Sequence, residues 1–389
     1  MAEPLRVLAV VNLPWEPRLG AARVYVDLVE HWKAAGHHVE KFCLTDAFPT
    51  ETNSPPLSML RQLFFVHRAA RHVRRNASRF DVIDALIGTL PFSKKNLKFN
   101  GLLVARSTGL PRAYERFSHS SRQRWPDQPR GKLVGRFFYK CVSRILYRNC
   151  ERSLQTCDLI NLINDDEIKL LQDPPAVRTP FIVQPNGLSE TEHTGLAGTS
   201  QAPEIRLERK GISFIGAWGV RKGARDWPAI IRRIRSAIPE AHFNFFGTGI
   251  DAQKLLNELQ VPSASGVHVV PSFERRALPS LLAPCAVGVF PSYIEGFPLA
   301  VVEQLTSGIP VIAYDVPGAR QILEPLRTQL LVPEADISAI ADRVVGILRM
   351  NLSAYATLSD QCRSIASQFR WKNIAADTME HYRAALLRL

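Results

Sequence analysis

Glu295 and Glu303 stand eight positions apart in VGVFPSYIEGFPLAVVEQLTSGIPVIAYDVPG, residues 287–318. The stretch reads as strand, loop, helix, strand, loop, with Glu295 in the first loop and Glu303 on the helix. Pro298 is expected at the first helical position, where no intrahelical N–H bond is lost. The amides of Gly296, Phe297 and Leu299 then become donors at a helix N-terminus, which attracts phosphate through unpaired N–H groups and the helix dipole. Two carboxylates beside an anion site cannot both be phosphate ligands, but they can accept hydroxyl groups, one from a ribose and one from a sugar ring. An anion site flanked by hydroxyl acceptors has the chemistry of a nucleotide sugar.

A second constellation lies in FIGAWGVRKGARD, residues 214–226, where a strand ends in a Gly-rich loop carrying adjacent Arg221 and Lys222. Two cations after a strand can neutralise a pyrophosphate as charge develops on it. The first βα loop holds Arg18, Gly20, Ala21 and Ala22, small residues that let a backbone approach a ligand closely. Val104 to Gly109 (VARSTG) places Arg106 and Thr108 at a strand end. Gly247, in the F-G-T-G turn that begins at Phe246, lacks the third glycine of a dinucleotide fingerprint. No D-x-D motif and no His/Cys cluster with metal-ligand spacing is present, so no metal is expected.

These residues need a scaffold of alternating strands and helices. Apolar runs near 6–12, 39–44, 80–86, 101–107, 159–162 and 181–183 predict one set of strands. A helix through Tyr25, Leu28, Val29 and Trp32 follows the first. Pro185-Asn186-Gly187 is a turn signal, and the polar Ser189 to Glu204 reads as a linker or an exposed loop. Runs at 212–215, 242–246, 268–270 and 286–290 predict a second set, with a helix over 228–237. The Asp81/Asp84 pair is expected at helix-start or loop positions. The fold class is α/β, two doubly wound Rossmann-like domains with a cleft between them.

The segment around Glu295 resembles the E-x7-E signature of retaining glycosyltransferases of the GT-B fold, most closely glycosyltransferase family 4. The family pattern P-S-x-x-E-G-F-x-L-x-x-x-E-x-x-x-x-G-x-P-V-I-A is matched by Pro291, Ser292, Glu295, Gly296, Phe297, Leu299, Glu303, Gly308, Pro310, Val311, Ile312 and Ala313. Lys222 and Gly223 match the family's cation turn, whereas Ala217 stands at its usual arginine. Thr108 stands where the family often has a histidine near the reacting sugar. The resemblance implies a retaining, metal-independent transferase using a UDP- or GDP-sugar as co-substrate, in cell-surface polysaccharide, lipopolysaccharide or glycolipid synthesis. It implies catalytic roles for Glu295, Lys222 and Arg221. Donor contacts would come from Glu303, Gly296, Phe297, Leu299, Gly20, Ala21 and Gly247, and acceptor-side contacts from Thr108 and Arg106. It further implies an acceptor-side domain of residues 1–187, joined by a C-terminal helix over 371–389, and a donor domain of 188–370. A non-catalytic nucleotide-sugar-binding or scaffold subunit of the same fold is the alternative.

The chain has 389 residues and a net charge of +13, enough length for two domains and a charge that favours a polyanionic partner. From Arg112 to Arg152 there are eleven Lys/Arg against three Asp/Glu. Arg136, Lys140, Arg144 and Arg148 recur on one helical face, with Phe137, Phe138, Val142, Ile145 and Leu146 as an apolar face, the pattern of a basic amphipathic helix. An acidic or lipid-linked acceptor and peripheral contact with an anionic membrane fit this pattern. Nucleic acid does not, because the aromatics do not interleave with the cations as a stacking platform. Six scattered cysteines without a C-x-x-C pair suit reduced thiols. No signal peptide or membrane-spanning run of roughly 18–20 apolar residues is visible. The expected location is therefore cytoplasmic, at the inner face of the membrane where it is peripheral.

Overall fold

The computed structural model describes the chain except residues 1, 2, 18, 19, 51, 53, 127–132, 174, 175 and 262–265, and only the backbone of 133–137. The chain divides into two units, Met1–Asn186 with Trp371–Leu389, and Gly187–Arg370. Each is built on one parallel six-stranded sheet.

The first sheet contains β1 (Arg6–Val11), β2 (His38–Cys43), β3 (Val82–Leu86), β4 (Leu102–Arg106), β5 (Leu159–Leu162) and β6 (Phe181–Val183), in the order β2-β1-β3-β4-β5-β6. Side chains alternate across a strand, and β1 shows what this does when helices cover both faces. Val7, Ala9 and Val11 pack with Tyr25, Leu28 and Trp32 of the helix Gly20–Ala34 and with Trp371, Met379 and Tyr382 of the C-terminal helix. Leu8 and Val10 pack with Phe65 and Val73 of the helix Pro55–Asn76. A strand buried on both faces reads as an unbroken apolar run.

The C-terminal helix Trp371–Leu386 is fastened to this sheet by polar bonds as well. Trp371 Nε1 donates to Asp27 at 3.2 Å, Trp32 Nε1 donates to the Ala375 carbonyl at 3.2 Å, and the Tyr382 hydroxyl donates to Asp84 at 2.5 Å. Asp84 is not at a helix start or in a loop: it lies inside β3, fully buried, where the guanidinium of Arg106 and two tyrosines compensate its charge.

The second sheet contains β7 (Gly211–Ile215), β8 (His242–Phe246), β9 (Val267–Val270), β10 (Cys285–Phe290), β11 (Val311–Tyr314) and β12 (Leu331–Val332), in the order β12-β11-β10-β7-β8-β9. The chain direction across this sheet reverses between β7 and β10, which are adjacent. In open α/β sheets, ligands bind outside the carboxyl ends of the strands at such a switch point.

The stretch Ser189 to Glu204 is neither a linker nor simply an exposed loop. It contains the helix Glu190–Gly198 and the start of the helix Pro203–Arg209. Ser189 and Glu192 form a capping box, each side chain accepting from the other's amide. This S-x-x-E signal outweighs the polar composition.

Candidate functional site

Lys222 ends the short helical turn after β7, and Glu295 lies in the loop after β10, so adjacent strands at the switch point deliver both. Lys222 Nζ lies 2.6 Å from Glu295 Oε1, and Arg221 Nη1 lies 2.9 Å from the same oxygen. The Glu295 and Lys222 side chains are 10% and 13% exposed. Burial pushes the Lys222 ammonium below the ordinary lysine range; the Glu295 carboxylate pulls it back up, and Arg221 pushes it further down.

The two loops are stitched together by contacts that restrict residue choice. Gly223 has φ +77°, and a Cβ there would come within 2.3 Å of the Pro291 carbonyl, so only glycine fits. The Tyr293 amide donates to the Arg221 carbonyl at 2.9 Å, and Arg221 Nη1 donates to the Ile294 carbonyl at 3.2 Å. The Lys222 stem passes over Gly216, and its ammonium lies 4.9 Å from the centre of the Phe290 ring. Asp226, Tyr293 and Tyr314, which the sequence did not single out, join the same assembly. Asp226 Oδ2 accepts the Tyr293 hydroxyl at 2.6 Å and the Tyr314 hydroxyl at 2.8 Å.

Pro298 is the N-cap of the helix Leu299–Thr306 rather than its first residue. Leu299 therefore opens the helix, and Gly296 and Phe297 lie in the approach to it. The Phe297 ring is buried against Phe369, with 5.2 Å between ring centres. Glu303 lies on this helix, buried. Gly247, with φ +70°, sits in the turn after β8 against the Phe273 ring.

The remaining expected site residues belong to the other unit. Gly20 and Ala21 are the first residues of the helix Gly20–Ala34, and a Cβ on Gly20 would meet no atom within 4 Å. Arg18 lies outside the described residues. Thr108 is half-buried in the loop after β4. That loop is pinned by buried Glu167, which accepts from the Ser107 hydroxyl at 2.8 Å and the Leu110 amide at 2.6 Å. Burial pushes the Glu167 carboxyl above the usual carboxylate range, against the pull of these donors.

Arg106 is not an acceptor-side group. It is 4% exposed and bound by both Asp84 oxygens, at 2.8 to 3.1 Å, and by the Tyr382 hydroxyl. An arginine at the end of a strand can point along the sheet face as well as out of it, and here the buried Asp84 draws it inward.

In the basic helix Leu133–Thr156, Val142 is buried but Ile145 is 47% exposed and Tyr139 is 61% exposed, beside Lys140, Arg144 and Arg148. Ile145 thus departs from the inward face expected of it. The side chains of Arg136 and Phe137 lie outside the described residues. Among the described residues, no helix is long and apolar enough to cross a membrane, and no group of three or more His, Cys, Asp or Glu could hold a metal ion.

Two six-stranded parallel sheets with this strand order define a GT-B architecture. Solved structures share it along the whole chain. Sucrose-phosphate synthase from Thermosynechococcus elongatus aligns with a TM-score of 0.74, covering 99% of this chain and 100% of that one at 19% identity. Anabaena HepE in complex with UDP and glucose aligns with a TM-score of 0.66, covering 97% and 99% at 16% identity. Residues 209–350, which hold Lys222, Glu295 and Glu303, match the family described as glycosyl transferases group 1. The D-inositol 3-phosphate glycosyltransferase of Xylanimonas cellulosilytica is 26% identical over 267 residues, 67% of this chain and 62% of its own length. The chain spans between 33% and 62% of the length of the curated relatives it matches.

Proposed function

We propose that this chain is a retaining glycosyltransferase of family 4. It moves a sugar from a UDP- or GDP-sugar to an acceptor hydroxyl without a metal ion. The observation that carries this reading is the meeting of Lys222, Arg221 and Glu295 at the switch point of the second sheet. In this reading Lys222 and Arg221, with the backbone at Gly296, Phe297 and Leu299, hold the diphosphate and stabilise its growing charge. Glu295 holds a sugar hydroxyl and faces the positive charge that builds at the anomeric carbon. Glu303 holds the ribose, and Gly247 lies toward the base. The bond from the anomeric carbon to the phosphate oxygen breaks while the acceptor oxygen bonds on the same face, and the acceptor proton passes to the leaving phosphate. Thr108 binds a hydroxyl and takes no proton.

The acceptor in this reading is acidic or lipid-linked, as in polysaccharide, lipopolysaccharide or glycolipid synthesis, and the protein works at the inner face of an anionic membrane. Support comes from exposed Tyr139 and Ile145 among Lys140, Arg144 and Arg148. The adjoining helix Pro55–Asn76 adds exposed Leu57 and Phe64 to five arginines and no acidic residue.

A thermal-shift panel of UDP- and GDP-sugars tests the donor assignment. A ligand at 100 times its dissociation constant adds about 2.7 kcal/mol, so at least one donor should raise the melting temperature by several degrees. A panel with no shift contradicts the reading.

A further inference from the structure

We propose that Asp226 is a positioning residue for this reaction, holding the Glu295 loop against the Lys222 turn through Tyr293 and Tyr314. The proposal rests on the donor-site reading above. Asp226 occupies the N-cap of the helix Trp227–Ala237. An aspartate there ordinarily accepts an amide of the first turn. Here the side chain makes no cap bond, and Pro228 at the second helical position has no N–H to offer. The carboxylate is 5% exposed and turned to the two tyrosine hydroxyls at 2.6 and 2.8 Å. Such O–H···O⁻ bonds are about twice as strong as neutral ones.

The three residues come from three segments that converge at the site. Asp226 follows Lys222 by four residues, and Tyr293 precedes Glu295 by two. Tyr314 ends β11 and leads to Gly318, where a Cβ would come within 2.4 Å of the Gly296 carbonyl oxygen. The tyrosine rings lie against each other, 5.4 Å between centres. This arrangement matters most when a donor is bound. A diphosphate that takes Lys222 and Arg221 releases their hold on Glu295. The Tyr293 amide bond to Arg221 and the Asp226 carboxylate then remain to keep the Glu295 loop in place. Misplacement of a group that acts on the anomeric carbon costs turnover far more than it costs binding of a diphosphate still held by Lys222 and Arg221.

The test is Tyr293→Phe, which removes one hydroxyl and leaves the ring. The expected result is a kcat lowered about tenfold with donor KM and the calorimetric Kd for the nucleoside diphosphate within about twofold of wild type. Because the residue acts through Glu295, the same change made on top of Glu295→Gln should lower turnover no further. Asp226→Asn, a second variant of the same shape, should lower kcat in the same direction. Unchanged turnover in Tyr293→Phe, or an equal loss in both backgrounds, overturns the positioning role while the donor reading stands. Absence of nucleoside diphosphate release by wild-type protein from every donor overturns both.

Discussion

The Glu295 carboxylate sits 2.6 Å from the Lys222 ammonium, with Arg221 on the same oxygen. The residue assigned to the sugar thus pairs with the two cations assigned to the diphosphate. A diphosphate must therefore displace it. Glu295→Gln removes the competing charge and keeps the shape, so it should bind a nucleoside diphosphate without sugar about tenfold more tightly. Isothermal calorimetry reads this directly, and equal or weaker binding contradicts the exchange.

Lys222 is depressed chiefly by burial. In the proposed function its protonated form binds the diphosphate, so affinity should be present below its pKa and lost as pH rises through it. The loss should begin at a lower pH than an ordinary lysine would give. Lys222→Arg keeps the charge, because a guanidinium is not deprotonated in this range. Nucleoside diphosphate affinity in that variant should stay flat between neutral and alkaline pH while wild-type affinity falls. Parallel profiles contradict the assignment.

Arg106 and Asp84 form a buried pair that carries the C-terminal helix through Tyr382. Removing one member of a buried ion pair strands the other charge and costs about 3–5 kcal/mol. Arg106→Leu should lose that much in urea unfolding, followed by tryptophan fluorescence, to which Trp32, 5.8 Å from the guanidinium, contributes. A loss below about 1 kcal/mol, as for an exposed pair, contradicts the structural role.

Each cation near an anionic surface contributes about 1 kcal/mol, and salt screens it with a Debye length of about 8 Å at physiological ionic strength. Wild-type protein should co-sediment with anionic vesicles at low salt and be released at high salt. Changing Arg136, Lys140, Arg144 and Arg148 to Gln should abolish this and leave donor affinity intact. Wild-type protein that ignores the vesicles contradicts the membrane reading.

The sheets were legible because strands covered on both faces leave unbroken apolar runs such as 7–11 and Cys285–Phe290. The loops carrying Lys222 and Glu295 were legible from residue type and register. Their pairing was not, because the two lie far apart in sequence and meet only where β7 and β10 become neighbours. Asp226 carries no mark in the sequence, because nothing local shows that its carboxylate meets two tyrosines from distant segments. Arg106 misled for the same reason: a strand-end arginine carries no mark of the buried Asp84 that claims it. Ser189 to Glu204 differs, since its S-x-x-E cap is present in the sequence within a stretch of linker-like polar composition.

The central claim is sugar transfer from a nucleotide donor through Glu295, and nucleoside diphosphate release measures it most directly. Wild-type protein, given the UDP- or GDP-sugar that stabilises it, should release nucleoside diphosphate at the same initial rate with and without EDTA. Glu295→Ala, folded normally, should lose about 10²–10³ in rate, the cost of a preorganised polar contact at the reacting centre. Near-wild-type release by Glu295→Ala, or no release from any donor by the wild type, would contradict the account.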